Sequence, residues 1–202
     1  MSRYSRYGSR RNSNYSQWAP YVPVAQRRAN ALKMAGKLAK KGEALEPVNL
    51  AGRTITTTWW GNAWCKNLEE YSDYENRVPR GKTYVRNGSV IDLKIESGCI
   101  RALVSGSNVY KVNITIDKLA DARWKSIVQE CSGEIDSIVE LLKGELSEGV
   151  MKVLTKPREG LFPSPKEIHF DCSCPDYASM CKHVAAVLYG VGARMDTHPE
   201  LF

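Results

Sequence analysis

Four side chains within one short stretch have the types and spacing to hold a metal ion: Cys172 and Cys174, then, after a six-residue gap, Cys181 and His183. Thiolate and imidazole are ligands that Zn²⁺ prefers, and three cysteines with one histidine complete a tetrahedral shell with no position left for water. Residues two apart on an extended chain project to one face, about 7 Å apart along the backbone by the strand rise. A modest turn brings their sulfurs within reach of a single ion, whose Zn–S bonds are about 2.3 Å. Pro175 stops the strand and opens that turn. Cys181 and His183 are also two apart, and such positions do not face the same way on a helix. Cys181 is therefore expected in the loop, and His183 in the first turn of a helix that Val184-Ala185-Ala186-Val187-Leu188 begins. The expectation is a strand, a loop and a helix pinned by one structural ion.

Other chemistries fit these residues less well. Paired disulfides suit a secreted chain, but no signal peptide with an apolar core opens this one, and clustered cysteines then favour metal. A redox dithiol would read Cys-x-x-Cys, which is absent. Catalytic zinc keeps an open position and leans on histidine and carboxylate. Cys99 and Cys131 read as small apolar packing residues, and Cys65 stands apart from the quartet. His169 reads as an ordinary strand histidine, since the shell is already full, and His198 has no recognisable partner.

The letters around the quartet, Phe170-Asp171-Cys172-Ser173-Cys174-Pro175-Asp176 and Cys181-Lys182-His183-Val184-Ala185-Ala186-Val187-Leu188-Tyr189, resemble the SWIM zinc finger. The resemblance implies binding to DNA or to a protein partner. More loosely, Thr58-Trp59-Trp60-Gly61-Asn62-Ala63-Trp64 and the strands after it resemble the upstream part of bacterial full-length SWIM proteins, which are typically encoded beside Swi2/Snf2-type helicases. That implies a helicase or other protein partner and assigns no residue a role.

Charge divides the chain. The formal charge is +7, yet residues 1–42 hold ten Lys or Arg and no acid, leaving 19 basic and 22 acidic residues in the other 160. A near-neutral globule carries a basic arm, and attraction for a polyanion resides in the arm. Residues 1–21 lack aliphatic side chains that could seed a core and are expected to be disordered alone. There Arg3, Arg6, Arg10 and Arg11 alternate with Tyr4, Tyr7, Tyr15 and Trp18, a pairing that stacks on unpaired bases while guanidinium groups meet phosphates. A partner-docking peptide, a solubilising tail and a transit peptide remain open beside that reading. From Val24 to about Lys41 the spacing of Val24, Leu32, Ala35 and Leu38 predicts a helix stopped by Gly42, with Arg27, Arg28, Lys33, Lys37, Lys40 and Lys41 polar and basic. Such a helix suits a phosphate backbone, an acidic protein, or its own globule.

The elements that must position the quartet follow. The chain divides into the arm (1–21), a basic helix and linker (22–50), an α+β body (51–155) and the finger with its terminal helix (156–202). Arg53 to Trp60, β-branched and aromatic, predicts a strand. Gly61 breaks it, and Asn62 caps a helix through Trp64, Leu68 and Tyr71. The three tryptophans are read as core and lid first, as a stacking platform second. Between Gly81 and Ile116 apolar residues alternate with polar ones in four runs, Thr83–Val85, Val90–Ile95, Ile100–Val104 and Tyr110–Ile116, separated by Asn87-Gly88, Ser97-Gly98 and Gly106-Ser107-Asn108. This predicts a four-stranded antiparallel meander with one wet face, able to curl into a small open barrel. Asp117 then caps a helix ending near Gly133, a second helix follows Glu134, Gly149–Leu154 adds a short turn, and a strand over Glu167–Asp171 leads into the finger. The fold class is α+β with a C-terminal strand–loop–helix zinc finger.

The functional expectation is a non-enzymatic zinc-binding adaptor for nucleic acid, DNA or RNA, or for a protein partner. A purely structural or protein-interaction subunit without nucleic-acid contact is the alternative. A nuclease or hydrolase would need paired carboxylates or a histidine beside a nucleophile. With three histidines, one a zinc ligand, no such constellation is visible. No run of 18 apolar residues spans a membrane, and a cytoplasmic location is expected, nucleoid or nucleus if DNA-bound. The finger offers only Lys182 and Arg194 near its helix, against Asp171 and Asp176, too little for reading base edges.

Overall fold

The computed structural model describes residues 22–42, 44–69, 77–133 and 147–201. Through these run α1 (Val24–Ala39), α2 (Trp59–Glu69), α3 (Arg77–Arg86), β1 (Val90–Glu96), β2 (Cys99–Ser105), β3 (Val109–Ile116), α4 (Asp121–Gly133), α5 (Glu148–Leu154), β4 (Ile168–Cys172), α6 (Lys182–Met195) and a 3-10 turn at Pro199–Leu201. The α+β class and the C-terminal strand–loop–helix are as expected. The arm over 1–21, Tyr71 and the helix expected after Glu134 lie outside the described residues. No described helix is long and apolar enough to cross a membrane.

The sheet is antiparallel and open, in the order β1-β2-β3-β4, so no barrel closes. Ser97-Gly98 and Gly106-Ser107-Asn108 make two of the three expected hairpins. β3 alternates buried Val112 and Ile114 with exposed Lys111, Asn113 and Thr115, the period-two pattern of a strand wet on one face. Its far edge pairs with β4, where Cys172 lies opposite Val112 and Phe170 opposite Ile114. The outer edge of β1 is covered too: the Leu93 amide donates to the Glu46 carbonyl at 2.9 Å and the Val48 amide to the Val90 carbonyl at 3.1 Å.

Thr83–Val85 is not the sheet's first strand; it belongs to α3, and the fourth strand comes from the finger instead. Val78, Gly81 and Val85 have helical spacing, and Pro79 falls in the first turn, where no amide is required. Asn87-Gly88 is accordingly a helix stop: Gly88 sits at φ 65°, and the Gly88 and Ser89 amides return to the carbonyls of Val85 and Tyr84 at 3.0 Å. Packing decides the conformation, because α3 lies against α6 so closely that a Cβ on Gly81 would stand 2.5 Å from the Cβ of Ala185.

Arg53–Trp60 is not a strand either. The run is irregular as far as Thr58, and α2 starts at Trp59. Its cap is Thr58, whose Oγ1 accepts from the Gly61 amide at 3.1 Å, so Asn62 lies inside the helix and Gly61 does not break it. The threonines are held by a residue far away in sequence. Asp196, just beyond α6, accepts from the Thr57 amide, from Thr57 Oγ1 at 2.8 Å and from Thr58 Oγ1 at 2.5 Å. A carboxylate at the N-terminus of α2 also meets the positive end of its dipole. Three smaller expectations shift as well. Asp117 does not cap α4, which begins at Asp121; it meets His169 Nε2 at 3.0 Å. Gly149–Leu154 is a helical segment, capped by Ser147, whose Oγ accepts from the Val150 amide at 3.2 Å. On α1 it is Ala31 that is buried, while Leu32 is 74% exposed.

One core joins residues from Val48 to Met195, and α6 runs through it. Eleven of the 14 residues of α6 are buried. A helix apolar all round belongs in an interior. The Trp64 indole, from α2, donates to the Leu188 carbonyl at 2.8 Å, and a Cβ on Gly192 would come 2.9 Å from Trp64 Cδ1. Trp64 is thus core, Trp60 reaches the Met195 carbonyl at 3.1 Å as a lid, and Trp59 is partly exposed.

Candidate metal centre

β4 ends on Cys172, and the Ser173 amide still pairs with the Lys111 carbonyl at 3.0 Å, so the strand aims the first sulfur into the gap between sheet and helix. The loop returns through Cys174. Cys181 occupies the N-cap position of α6 in extended conformation, φ −73° and ψ 168°, and His183 follows in the first turn. Both placements match the expectation from i,i+2 spacing. The four ligand atoms all lie within 4.8 Å of one another. His183 Nδ1 is 3.8 Å from Cys172 Sγ and 3.9 Å from Cys181 Sγ. Ligands around tetrahedral zinc stand roughly 3.5–3.8 Å apart, given its bond lengths. All six cysteines are free thiols, so nothing competes for these sulfurs. The donor set, its closure and its spacing fit one structural Zn²⁺. When bound, the ion cross-links β4, the loop and α6.

The electrostatics favour giving up protons to a cation. Cys181 has its thiol pKa lowered, chiefly because Cys172 donates a hydrogen bond to its sulfur; His183 and the amides of Val184 and His183 at the start of α6 assist against burial. Cys172 is pushed the other way, first by that shared hydrogen bond and then by burial. A dication replaces the shared proton and deprotonates coordinating thiols outright.

His183 is oriented by rings. Tyr110 stacks on it with centroids 4.3 Å apart at 22°, and Tyr84 meets it edge-on at 5.3 Å. Gly106 leaves space for this stack, since a Cβ there would be 2.9 Å from Tyr110 Cε2. The far nitrogen, Nε2, is buried with no hydrogen-bond partner among the described residues. Most ligating histidines are held by an acceptor at that nitrogen; here packing does the work. Neither tyrosine is conspicuous in the sequence as a supporting residue. Arg77 ties the loop to α3 through Asp176 at 2.9 Å.

The remaining candidate residues do not gather at the metal. Arg28, Lys33, Lys37, Lys40 and Lys41 are exposed on α1 or its end, Arg27 is half-buried, and α1 rests on β1 and β2. Arg3, Tyr4, Arg6, Tyr7, Arg10, Arg11 and Trp18 lie outside the described residues. His169 meets Asp117, and His198 has a partner after all, Glu200 at 3.0 Å. Arg53, Arg80 and Arg86, absent from the candidates above, extend the basic surface beyond α1; reading Arg77–Arg86 as a helix would have exposed its lack of acids. At the opposite end of the sheet a groove of about 820 Å³ is lined mainly by apolar side chains such as Ile95, Trp124 and Phe162. The carboxylates at its rim are engaged, Glu96 by Arg101, Asp117 by His169 and Glu200 by His198.

Comparison with known proteins agrees with this geometry. The SWIM zinc finger family model matches residues 170–191, so the closed Cys₃His site sits in a SWIM zinc finger. The chain is also 35% identical over 148 residues to uncharacterized protein Rv2102 of Mycobacterium tuberculosis. That alignment covers 72% of this chain and 53% of the relative, so the chain spans about half the length of the curated protein it matches. No solved structure matches it.

Proposed function

We propose that this chain is a non-enzymatic adaptor that binds nucleic acid through the basic arm and α1, with the zinc serving structure alone. The observation that carries the reading is where charge is left uncompensated. Arg28, Lys33, Lys37, Lys40 and Lys41 have no carboxylate within 4.0 Å among the described residues. A polyanion attracted to such a surface releases counterions on binding. The finger supports the reading indirectly. With α6 buried on most of its faces, it has no side of its own to lay in a groove, which leaves the surface elements to make contact. The helicase partner implied by the SWIM resemblance fits an adaptor that holds nucleic acid on one surface and a motor on another.

The test is a salt series on the full chain and on a chain lacking residues 1–21, with labelled duplex DNA, single-stranded DNA and RNA. Affinity should fall linearly on a log–log plot against salt, and more shallowly without the arm. Failure of the full chain to bind any of the three overturns the proposal. Capture of a helicase by the tagged chain from its own host tests the partner.

A further inference from the structure

We infer that Arg28, Arg53, Arg80 and Arg86 form a phosphate-binding row on the folded body, which takes the backbone of nucleic acid independently of the arm. The inference rests on the nucleic-acid reading above and assigns it to residues that neither the finger nor the arm contains.

Three segments distant in sequence meet here. Arg28, on α1, donates from Nη2 to the carbonyl of Arg86 at 2.9 Å. Arg86, at the end of α3, donates from Nε to the carbonyl of Arg53 at 2.8 Å. Arg28 is thus held against the backbone of Arg86, and Arg86 against that of Arg53, in an order set by the fold and invisible in the sequence. The carbonyl that takes Arg28 stands at the negative end of the α3 dipole, which favours a cation there.

The row is also left without counter-charge. α3 has four cations and no acid. Two are engaged, Arg77 by Asp176 at 2.9 Å and Lys82 by Glu69 at 2.7 Å. Arg80 and Arg86 are exposed, as are Arg28 and Arg53, and none of the four has a carboxylate within 4.0 Å among the described residues. Arg80 and Arg27 both lie close enough to Tyr84 to act on it electrostatically, which brings α3 and α1 cations to one side of that ring. Carbonyls satisfy one N–H each of Arg28 and Arg86; a guanidinium carries five. The rest of each fork faces solvent in the geometry that suits a phosphate bidentately. Like charges gathered without an anion repel one another, and a polyanion relieves that repulsion. Guanidinium groups without counter-charge are matched first to phosphates, so the ligand is the phosphodiester chain, and the probes decide between duplex and single strand.

The experiment compares the full chain with R53Q/R80Q/R86Q and with the charge-preserving R53K/R80K/R86K, using a 30-base-pair DNA duplex, one of its strands, and an RNA of the same sequence. Zinc content and thermal midpoint confirm that each variant is folded. Each lost phosphate contact lowers the log–log salt slope by about 0.9 on duplex DNA. The glutamine triple should therefore lose about 2.7 units of slope and roughly 500-fold in affinity at 0.1 M salt. The lysine triple should keep the slope and most of the affinity. A glutamine triple that binds like the wild type, while removal of residues 1–21 weakens binding, overturns the row and leaves the adaptor reading standing. A lysine triple whose salt slope falls as far as the glutamine triple's also overturns it, because the arginines would then be structural props. No binding by the wild type to any probe overturns both.

Discussion

The two ends of this molecule handle charge in opposite ways. Around α4 and α5 most cations are tied off, Lys118 to Asp121 at 3.2 Å, Arg123 to Glu167 at 3.2 Å, Lys152 to Glu148 at 2.9 Å, and Lys156 to Glu130 and Glu159 at 3.4 and 2.5 Å, with Lys125 and Arg158 the exceptions among the described residues. Around α1 and α3 the exposed cations have no carboxylate within 4.0 Å among the described residues. Paired charges on a surface keep a protein in solution and contribute little else. Unpaired charges of one sign keep a field that reaches about a Debye length, some 10 Å at 0.1 M salt. The difference separates a surface that only needs to be wet from one built to attract.

Because α6 fills the one core of the fold, loss of the metal should erase the contrast altogether. Cys174→Ser should leave the protein without zinc and without a cooperative thermal transition, since structural zinc contributes about 10–16 kcal/mol against a typical stability of 5–15 kcal/mol. Mass spectrometry and circular dichroism check this; a metal-free variant that melts like the wild type would break the idea of a shared interior. The contrast itself is sharpened by matched substitutions. Glutamine at Lys33 and Lys37 should weaken binding to a DNA duplex by roughly 60-fold at 0.1 M salt, whereas glutamine at Lys118 and Lys152 should leave it within twofold. Equal losses at both ends would reduce the comparison to net charge. Gly81→Ala pushes α3 off α6 and should cost about 1–3 kcal/mol of stability, read as a lower denaturant midpoint with unchanged zinc content. The smallest effect belongs to the tied-off end, where Lys152→Ala should change stability by only a few tenths of a kcal/mol. A loss above 1 kcal/mol would show that those pairs do more than solubilise.

What could be read beforehand was what is local. The quartet declared itself because metal ligands must be close in space, and here they are close in sequence; the i,i+2 argument even placed Cys181 before α6 and His183 within it. Hairpins at Ser97-Gly98 and Gly106–Asn108 were legible for the same reason. Arg53–Trp60 misled because its β-branched threonines are satisfied by Asp196, which no local pattern announces. Thr83–Val85 misled because strand propensity is weaker than the demand for a helix at the Gly81–Ala185 contact. That second error concealed the basic surface, since a strand would have scattered Arg80 and Arg86 to different places. The tyrosines that box His183 were hidden too: Tyr84 and Tyr110 converge only once α3 and β3 are both in place.

The burial of α6 also limits how far the finger can travel. A metal-binding loop whose helix lies on the surface can be cut out and spliced into another scaffold. Here Ala185 is fitted to Gly81, Leu188 to an indole, and Gly192 to the flank of the same tryptophan. An excised finger would carry a greasy rod with nothing to wrap it, so the portable unit is the entire fold.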